Sequence, residues 1–213
     1  MKYKCVIFDC DGVLVDTEDI SIGTFVDMGN KLGASIDFEY AMVHFLGKSL
    51  EYCFDYIQER CSEPFPLDFE KQYREKSFEK FKNVLQAIEG VKELISKLDV
   101  PFCVASNGPL NKMQLNLKIV GLDAVFADRM FSAYDINKFK PDPALFIHAA
   151  KKLGFKPEDC VVIEDSDVGV KAAVSGGFDV FGFANFRNET LLKKEGAKLF
   201  YKMNELSDLL EKQ

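Results

Sequence analysis

Only two histidines, His44 and His148, occur in 213 residues, and each falls in a helix-like stretch. A zinc centre built on imidazoles and a Ser-His-Asp triad are therefore poorly supported, and each His is expected to be a surface or half-buried helix residue. Positive charge is also in deficit: 27 Lys and Arg stand against 34 Asp and Glu, a net charge of -7. Nucleic acid and anionic membranes both reward a basic surplus, so neither is an expected partner. A small anionic substrate stays compatible, because a local cationic pocket can exist on an acidic surface. The six cysteines (5, 10, 53, 61, 103, 160) form no Cys-x-x-Cys pair. Cys5, Cys103 and Cys160 lie inside apolar strand-like runs, as buried free thiols of a reducing compartment would. No apolar run approaches the length of a membrane span, and Asp9 and Asp11 interrupt the early apolar region that a signal peptide requires. The expectation is a cytoplasmic protein.

What is present is concentrated in residues 5 to 18. The apolar run Cys5 to Phe8 ends abruptly in two acids one residue apart, Asp9 and Asp11, followed by Gly12. A short run rich in β-formers and closed by a glycine turn predicts a buried strand. Functional groups of open parallel sheets sit just beyond the carboxyl ends of strands, where these two acids fall. If the chain stays extended, the side-chain period of two points both the same way. At ~4 Å and an effective dielectric of about 20 they would repel by roughly 4 kcal/mol, so the pair calls for a cation, a shared proton or solvent.

The length suits one domain plus an insertion. From about Ile20 to Val84 the chain is helix-like, aromatic and dense in charge, punctuated by Gly29, Gly33, Gly47 and Pro64-Phe65-Pro66. Leu50, Phe54, Ile57 and Cys61 keep helical spacing, as do Phe69 and Tyr73, which predicts a small helical bundle. From Ala87 the pattern becomes β/α alternation. Val91, Leu94, Ile95 and Leu98 mark a helix face. Strands are predicted at 102–105, 130–134, 160–163 and 180–183, with an edge strand at 199–200; helices end at Gly121, Gly154 and Gly176. Alternation of this kind implies an α/β fold: a Rossmann-like parallel sheet covered by helices, with an inserted helical domain. The expected boundaries are 1–16 with 85–213 for the α/β core and 17–84 for the helical insertion.

Four strand or loop ends place polar residues on one rim of that sheet: Asp9 with Asp11, Ser106 with Asn107, Lys140, and Glu164 with Asp165. Acids from two strands can hold a hard divalent cation, and Mg²⁺ favours few carboxylates plus water and a phosphate oxygen. Ser106, the amides around Gly108 and Lys140 supply donors and positive charge for phosphate oxygens. One carboxylate can then attack phosphorus while cation and lysine neutralise the developing charge. Each residue alone also fits a turn or capping role; their coincidence on one rim favours chemistry.

The ordered set also resembles a known family. Phe8-Asp9-Cys10-Asp11-Gly12-Val13-Leu14-Val15-Asp16-Thr17-Glu18, Val104-Ala105-Ser106-Asn107-Gly108, Lys140-Pro141-Asp142-Pro143 and Val162-Ile163-Glu164-Asp165-Ser166-Asp167-Val168-Gly169 are similar to the four motifs of the haloacid dehalogenase-like hydrolases. The resemblance runs over essentially the whole chain, and the helical insertion after the first motif is similar to the cap of the β-phosphoglucomutase-like branch. It implies a Mg²⁺-dependent phosphatase with Asp9 as nucleophile and metal ligand. Asp11 would be the general acid/base and give its backbone carbonyl to the metal. Ser106, Asn107 and Gly108 would hold the phosphoryl group, Lys140 would bridge that group and Asp9, Asp165 would ligate Mg²⁺, and Glu164 would be a ligand or its partner. Dehalogenating members typically lack the second Asp; Asp11 favours phosphoryl transfer. The substrate class implied is a small phosphorylated metabolite, a sugar phosphate or sugar-acid phosphate such as 6-phosphogluconate. Mutases of this branch carry a His early in the first cap helix, where this chain has Ser21, so hydrolysis is expected over sugar-phosphate mutation. A non-catalytic, receiver-like phosphate-binding module is a third reading, disfavoured by the length of the insertion. Lys48 and Ser49 could offer donors to an anionic leaving group, or equally form an exposed helix start.

Overall fold

The computed structural model describes residues 2–45 and 48–211; Gly47, one of the expected breaks in the helical insertion, lies outside them. The chain divides into two compact units, Met1–Asp16 with Gln86–Gln213, and Thr17–Leu85.

The first unit is built on a six-stranded sheet. Its strands are β1 (Cys5–Phe8), β2 (Phe102–Ser106), β3 (Met130–Ser132), β4 (Cys160–Glu164), β5 (Asp179–Phe183) and β6 (Lys198–Phe200). The order is β3-β2-β1-β4-β5-β6 and every pairing is parallel. Parallel strands need helical crossovers, which cover both faces and leave the central strands dry; β1, β2 and β4 are buried at every position, hence their unbroken apolar runs. On one face Cys5, Ile7, Cys103, Ala105, Cys160 and Val162 pack with Leu145, Phe146, Ala149, Val170 and Ala173. On the other, Phe8, Phe102 and Phe126 meet edge-to-face in a ring triad. Burying side chains of this size stabilises the fold by about 1.5–3 kcal/mol each.

The second unit carries the helices α1 (Glu18–Lys31), α2 (Phe38–Phe45), α3 (Leu50–Gln58) and α4 (Phe69–Val84). Its core gathers Phe25, Met28, Met42, Phe45, Ile57 and Tyr73. In α4 the buried stripe is Phe69, Tyr73, Ser77 and Phe81, an i, i+4 series. Cys61, expected on the α3 stripe, lies beyond that helix.

The remaining helices belong to the first unit: α5 (Val91–Lys97), α6 (Leu110–Ile119), α7 (Asp123–Phe126), α8 (Ala133–Ile136), α9 (Ala144–Lys152), α10 (Asp167–Ser175), α11 (Glu189–Lys194) and α12 (Met203–Glu211). One expectation fails here. The strand expected to reach residue 134 stops at Ser132, because the Ser132 hydroxyl oxygen accepts the Tyr134 N–H at 3.2 Å and starts α8. No helix among the described residues is long and apolar enough to cross a membrane. The six cysteines are free thiols, and the three assigned to strands are buried.

Candidate active site

From β1 the chain winds outward through β2 to β3, then returns to β4 on the other side of β1 and continues to β6. The direction of winding reverses between β1 and β4. Open α/β sheets bind ligands in the crevice that such a reversal leaves at the carboxyl ends of the strands. Asp9 directly follows β1, while Glu164 ends β4 and Asp165 follows it. The topology thus delivers the acids of two motifs, distant in sequence, to one place.

Lys140 joins them. Its buried ammonium donates to Asp9 Oδ1 at 2.5 Å and to Glu164 Oε1 at 2.6 Å, and lies 4.7 Å from the centre of the Phe146 ring. The loop carrying it is braced by Asn107, whose Oδ1 accepts the Lys140 N–H at 2.8 Å and whose Nδ2 donates to the Lys140 carbonyl at 3.4 Å. Asn107 therefore holds the backbone of the lysine.

Glu164 is fully buried and saturated with donors. Besides Lys140, its Oε2 accepts from the N–H of Asp165, the N–H of Ser166 and the Ser166 hydroxyl, each at 2.9 Å. Ser166 also caps α10 by accepting the Gly169 N–H. A Cβ at Gly169 would stand 1.8 Å from Glu164 Oε1, so the carboxylate occupies the space a side chain would need. Gly12 is constrained in the same way: its φ is +77° and a Cβ there would lie 2.1 Å from Asp165 Oδ2. Asn188 donates to the Asp165 carbonyl at 2.9 Å, anchoring the loop after β4.

Ser106 ends β2 with its Oγ accepting the Gly108 N–H at 3.0 Å. The Gly108 carbonyl accepts the Ser132 hydroxyl at 2.8 Å. The Ser106–Gly108 turn is thus preformed, with one of its expected phosphate donors, the Gly108 amide, turned onto Ser106.

The chain does not stay extended past Asp9. Cys10 bends, and its carbonyl accepts the N–H groups of Leu14 and Val15. Asp9 and Asp11 each take their own lysine: Asp11 Oδ2 meets the Lys112 ammonium at 2.7 Å. Each of the two acids thus has a cationic partner, although the charge of Asp11 still acts to raise Asp9.

One ligand atom each from Asp9, Glu164 and Asp165 lies within 4.8 Å of the others, a spacing suited to one cation. The donors are all carboxylate oxygens, which suit a hard ion such as Mg²⁺. Four carboxylates (Asp9, Asp11, Glu164, Asp165) face two ammonium groups (Lys112, Lys140), an excess of negative charge that a divalent cation would balance. Burial pushes the Asp9 carboxyl up to about 7; Lys140 opposes this, and the neighbouring Glu164 reinforces it. Burial acts to lower the Lys140 ammonium, but the charges of Asp9 and Glu164 outweigh it and hold it above the usual lysine range. Lys140 therefore stays charged.

Comparison with known proteins agrees with this geometry. The family model described as hydrolase, haloacid dehalogenase-like hydrolase, matches residues 3–177. The chain belongs to this family. It is 38% identical over 183 residues to the 6-phosphogluconate phosphatase of Escherichia coli K12, covering 85% of this chain and 83% of that protein. A phosphorylated carbohydrates phosphatase of Thermotoga maritima is 27% identical, with 98% of both chains covered. The crystal structure of a putative β-phosphoglucomutase from Thermotoga maritima superposes with a TM-score of 0.82 at 26% identity, covering 98% of this chain and 99% of that one. Membership of a hydrolase family sets aside the non-catalytic, receiver-like reading.

Two residues of the motif regions escaped the sequence reading. Lys112 sits among helix-spaced residues and pairs with an acid 101 positions away; its one local signal is a cation in the first turn of α6, where the helix macrodipole disfavours it. Ser166 enters that reading only as part of the fourth motif, although a Ser before a helical stretch is a capping signal. In the second unit, Ser49 caps α3 by accepting the Tyr52 N–H at 3.1 Å, and Lys48 beside it is exposed.

Proposed function

We propose that this enzyme is a Mg²⁺-dependent phosphatase that hydrolyses a small sugar phosphate or sugar-acid phosphate through an aspartyl-phosphate on Asp9. The observation that carries the reading is the buried Lys140 ammonium held between Asp9 and Glu164. It keeps positive charge beside a carboxylate at the crevice of the sheet, where a phosphoryl group needs both a nucleophile and a counter-charge.

In this reading Asp9 Oδ attacks phosphorus as the bond to the leaving oxygen breaks, and Asp11 supplies the proton that oxygen takes. Asp11 then removes a proton from the water that cleaves the aspartyl-phosphate, so both atoms and protons balance over the cycle. Ser106 donates its hydroxyl to a phosphoryl oxygen, with Asn107 and Gly108 shaping the turn. Asp9, Asp165 and the Asp11 carbonyl would hold Mg²⁺. Glu164, with its oxygens already satisfied by Lys140, Ser166 and the Asp165 amide, suits the role of fixing its neighbours. The bound ion would supply Lewis-acid neutralisation of the phosphoryl oxygens. The helical unit would select the substrate, with Lys48 and Ser49 as candidates for contacting it. The names of the two phosphatase relatives support a phosphorylated carbohydrate as substrate, with 6-phosphogluconate first to be tried.

The test is release of inorganic phosphate from a panel of phosphorylated metabolites with Mg²⁺ and with chelator, followed by phosphorus NMR. Mg²⁺-dependent release is expected, fastest for sugar or sugar-acid phosphates. The likeness to a putative β-phosphoglucomutase keeps one alternative open. A hexose 1-phosphate converted to the 6-phosphate with little inorganic phosphate would make the protein a mutase. Absence of release from every ester would overturn the reading.

The buried Asp9 gives a second expectation. Its folded value, about 7, stands above the ordinary carboxylate value. The stability it contributes is therefore fully present below about pH 4 and is lost as pH rises through about 7. A cation competes with that proton for the same carboxylates. Without divalent ions the melting temperature should fall across this window, and Mg²⁺ should raise it more at about pH 7.5 than at about pH 5. Thermal unfolding checks this; an equal Mg²⁺ effect at both values would remove Asp9 from the ligand set.

A further inference from the structure

The Asp11–Lys112 ion pair has no part in the roles assigned so far. Lys112 stands in the first turn of α6, directly after the Ser106–Gly108 turn. A cation there opposes the helix macrodipole, and the first turn of α6 carries no acid to offset it. Local helix chemistry thus disfavours Lys112, and a tertiary partner must account for it. That partner is Asp11 Oδ2, 2.7 Å away, with both side chains only partly exposed. A Cβ placed at Gly108 would lie 3.4 Å from Ser106 Oγ, 3.7 Å from Asp11 Oδ2 and 3.7 Å from Lys112 Cδ. Serine, acid and lysine stem therefore converge around one glycine, each at ordinary van der Waals distance from where a Cβ would stand.

We infer that Lys112 is the positioning residue for Asp11, orienting the acid/base carboxylate toward the leaving oxygen. The inference rests on the reading of Asp11 as that group. Asp11 follows a bend in the chain and precedes a glycine of positive φ, so its backbone neighbours leave its side-chain rotamer to be set by contacts such as this one. A general acid must come within about 2.6–3.2 Å of the oxygen it protonates. Misplacement by about 1 Å is enough to cost ~10²-fold in rate. The lysine itself transfers no proton and makes no bond to phosphorus.

The experiment uses the full-length enzyme with Mg²⁺ and compares alkyl phosphates, which need a proton on departure, with aryl phosphates, which need it far less. Lys112→Met should lower kcat for alkyl esters by roughly 10- to 100-fold, change kcat for aryl esters by less than about threefold, and leave KM for both nearly unchanged. Lys112→Arg, which keeps a cation able to reach Asp11, should restore most of the alkyl activity. In an Asp11→Asn background Lys112→Met should add little, because two residues acting as a unit are non-additive. Equal losses for both ester types, no rescue by Arg, or full additivity with Asp11→Asn would overturn the positioning role. Asp11→Asn measured alone separates the two layers: if its loss is no larger for alkyl than for aryl esters, the acid/base reading of Asp11 falls and the inference with it. If its loss is larger for alkyl esters and that of Lys112→Met is not, only the inference falls.

Discussion

Asp9→Asn protein should fold at least as stably as the parent and hydrolyse essentially nothing. The change is nearly isosteric, and the new side-chain carbonyl can still accept the Lys140 ammonium that now meets Asp9 Oδ1. What disappears is a negative charge that burial disfavours, as its raised value of about 7 attests. In the absence of divalent ions, removing that charge relieves a desolvation penalty, so the melting temperature near neutral pH should hold or rise. Activity should move the other way. Hydrolysis of phosphate monoesters is among the slowest uncatalysed reactions, requiring accelerations up to ~10²¹. Removal of the covalent nucleophile from a serine protease lowers kcat on the order of 10⁶-fold. Phosphate release and thermal unfolding of the same preparation check both halves. Retention of more than about a tenth of parental turnover would refute covalent catalysis at position 9, since a nucleophile's loss leaves far less.

The parts of this fold legible in the sequence are those governed by burial. β1 and β4 are covered on both faces, so they appear as continuous apolar runs that stop where the backbone reaches the polar rim. The helical unit was legible as a class, because Phe69, Tyr73 and Phe81 repeat at helical spacing; the C-terminal end of α3 was not, since Cys61 continues that spacing past the helix. β3 was overextended because Phe131-Ser132-Ala133-Tyr134 suits a strand as well as a capped helix start. The choice is made by a serine hydroxyl that also donates to Gly108, 24 residues upstream. The same limit applies at the site. Asp9, Ser106, Lys140, Glu164 and Asp165 could be gathered from strand ends alone, since the topology of a parallel sheet brings such ends together. Which atom meets which could not. Asn107 bracing the Lys140 backbone spans 33 residues, and Lys112 reaching Asp11 spans 101. Neither pairing leaves a periodic trace in the chain.

Lys140→Met should be the most damaging single change to the stability of the metal-free enzyme. Methionine fills a comparable volume beside Phe146, but it leaves Asp9 and Glu164 facing each other in a buried space without their shared cation. Removing one partner from a buried ion pair costs about 3–5 kcal/mol, because the survivor stays desolvated and uncompensated. The Glu164 oxygen that accepts from Ser166 and the Asp165 amide keeps those bonds; the oxygen facing Lys140 loses its donor. Asp9, raised by burial, then loses the lysine that opposes that rise, so the variant's stability should fall more steeply than the parent's as pH rises from about 4 toward neutrality. Turnover should drop as well, by roughly 10²- to 10³-fold, the cost of removing one preorganised electrostatic partner of a developing anion. A second substitution, Glu164→Gln, removes one of the stranded charges and should return part of the lost stability without returning activity. Urea unfolding of the parent, Lys140→Met and Lys140→Met/Glu164→Gln at two pH values checks the chain of reasoning. A loss below about 1 kcal/mol in the single variant would mean that the pair is solvated in solution, and no recovery in the double variant would mean that Glu164 is not the charge Lys140 neutralises.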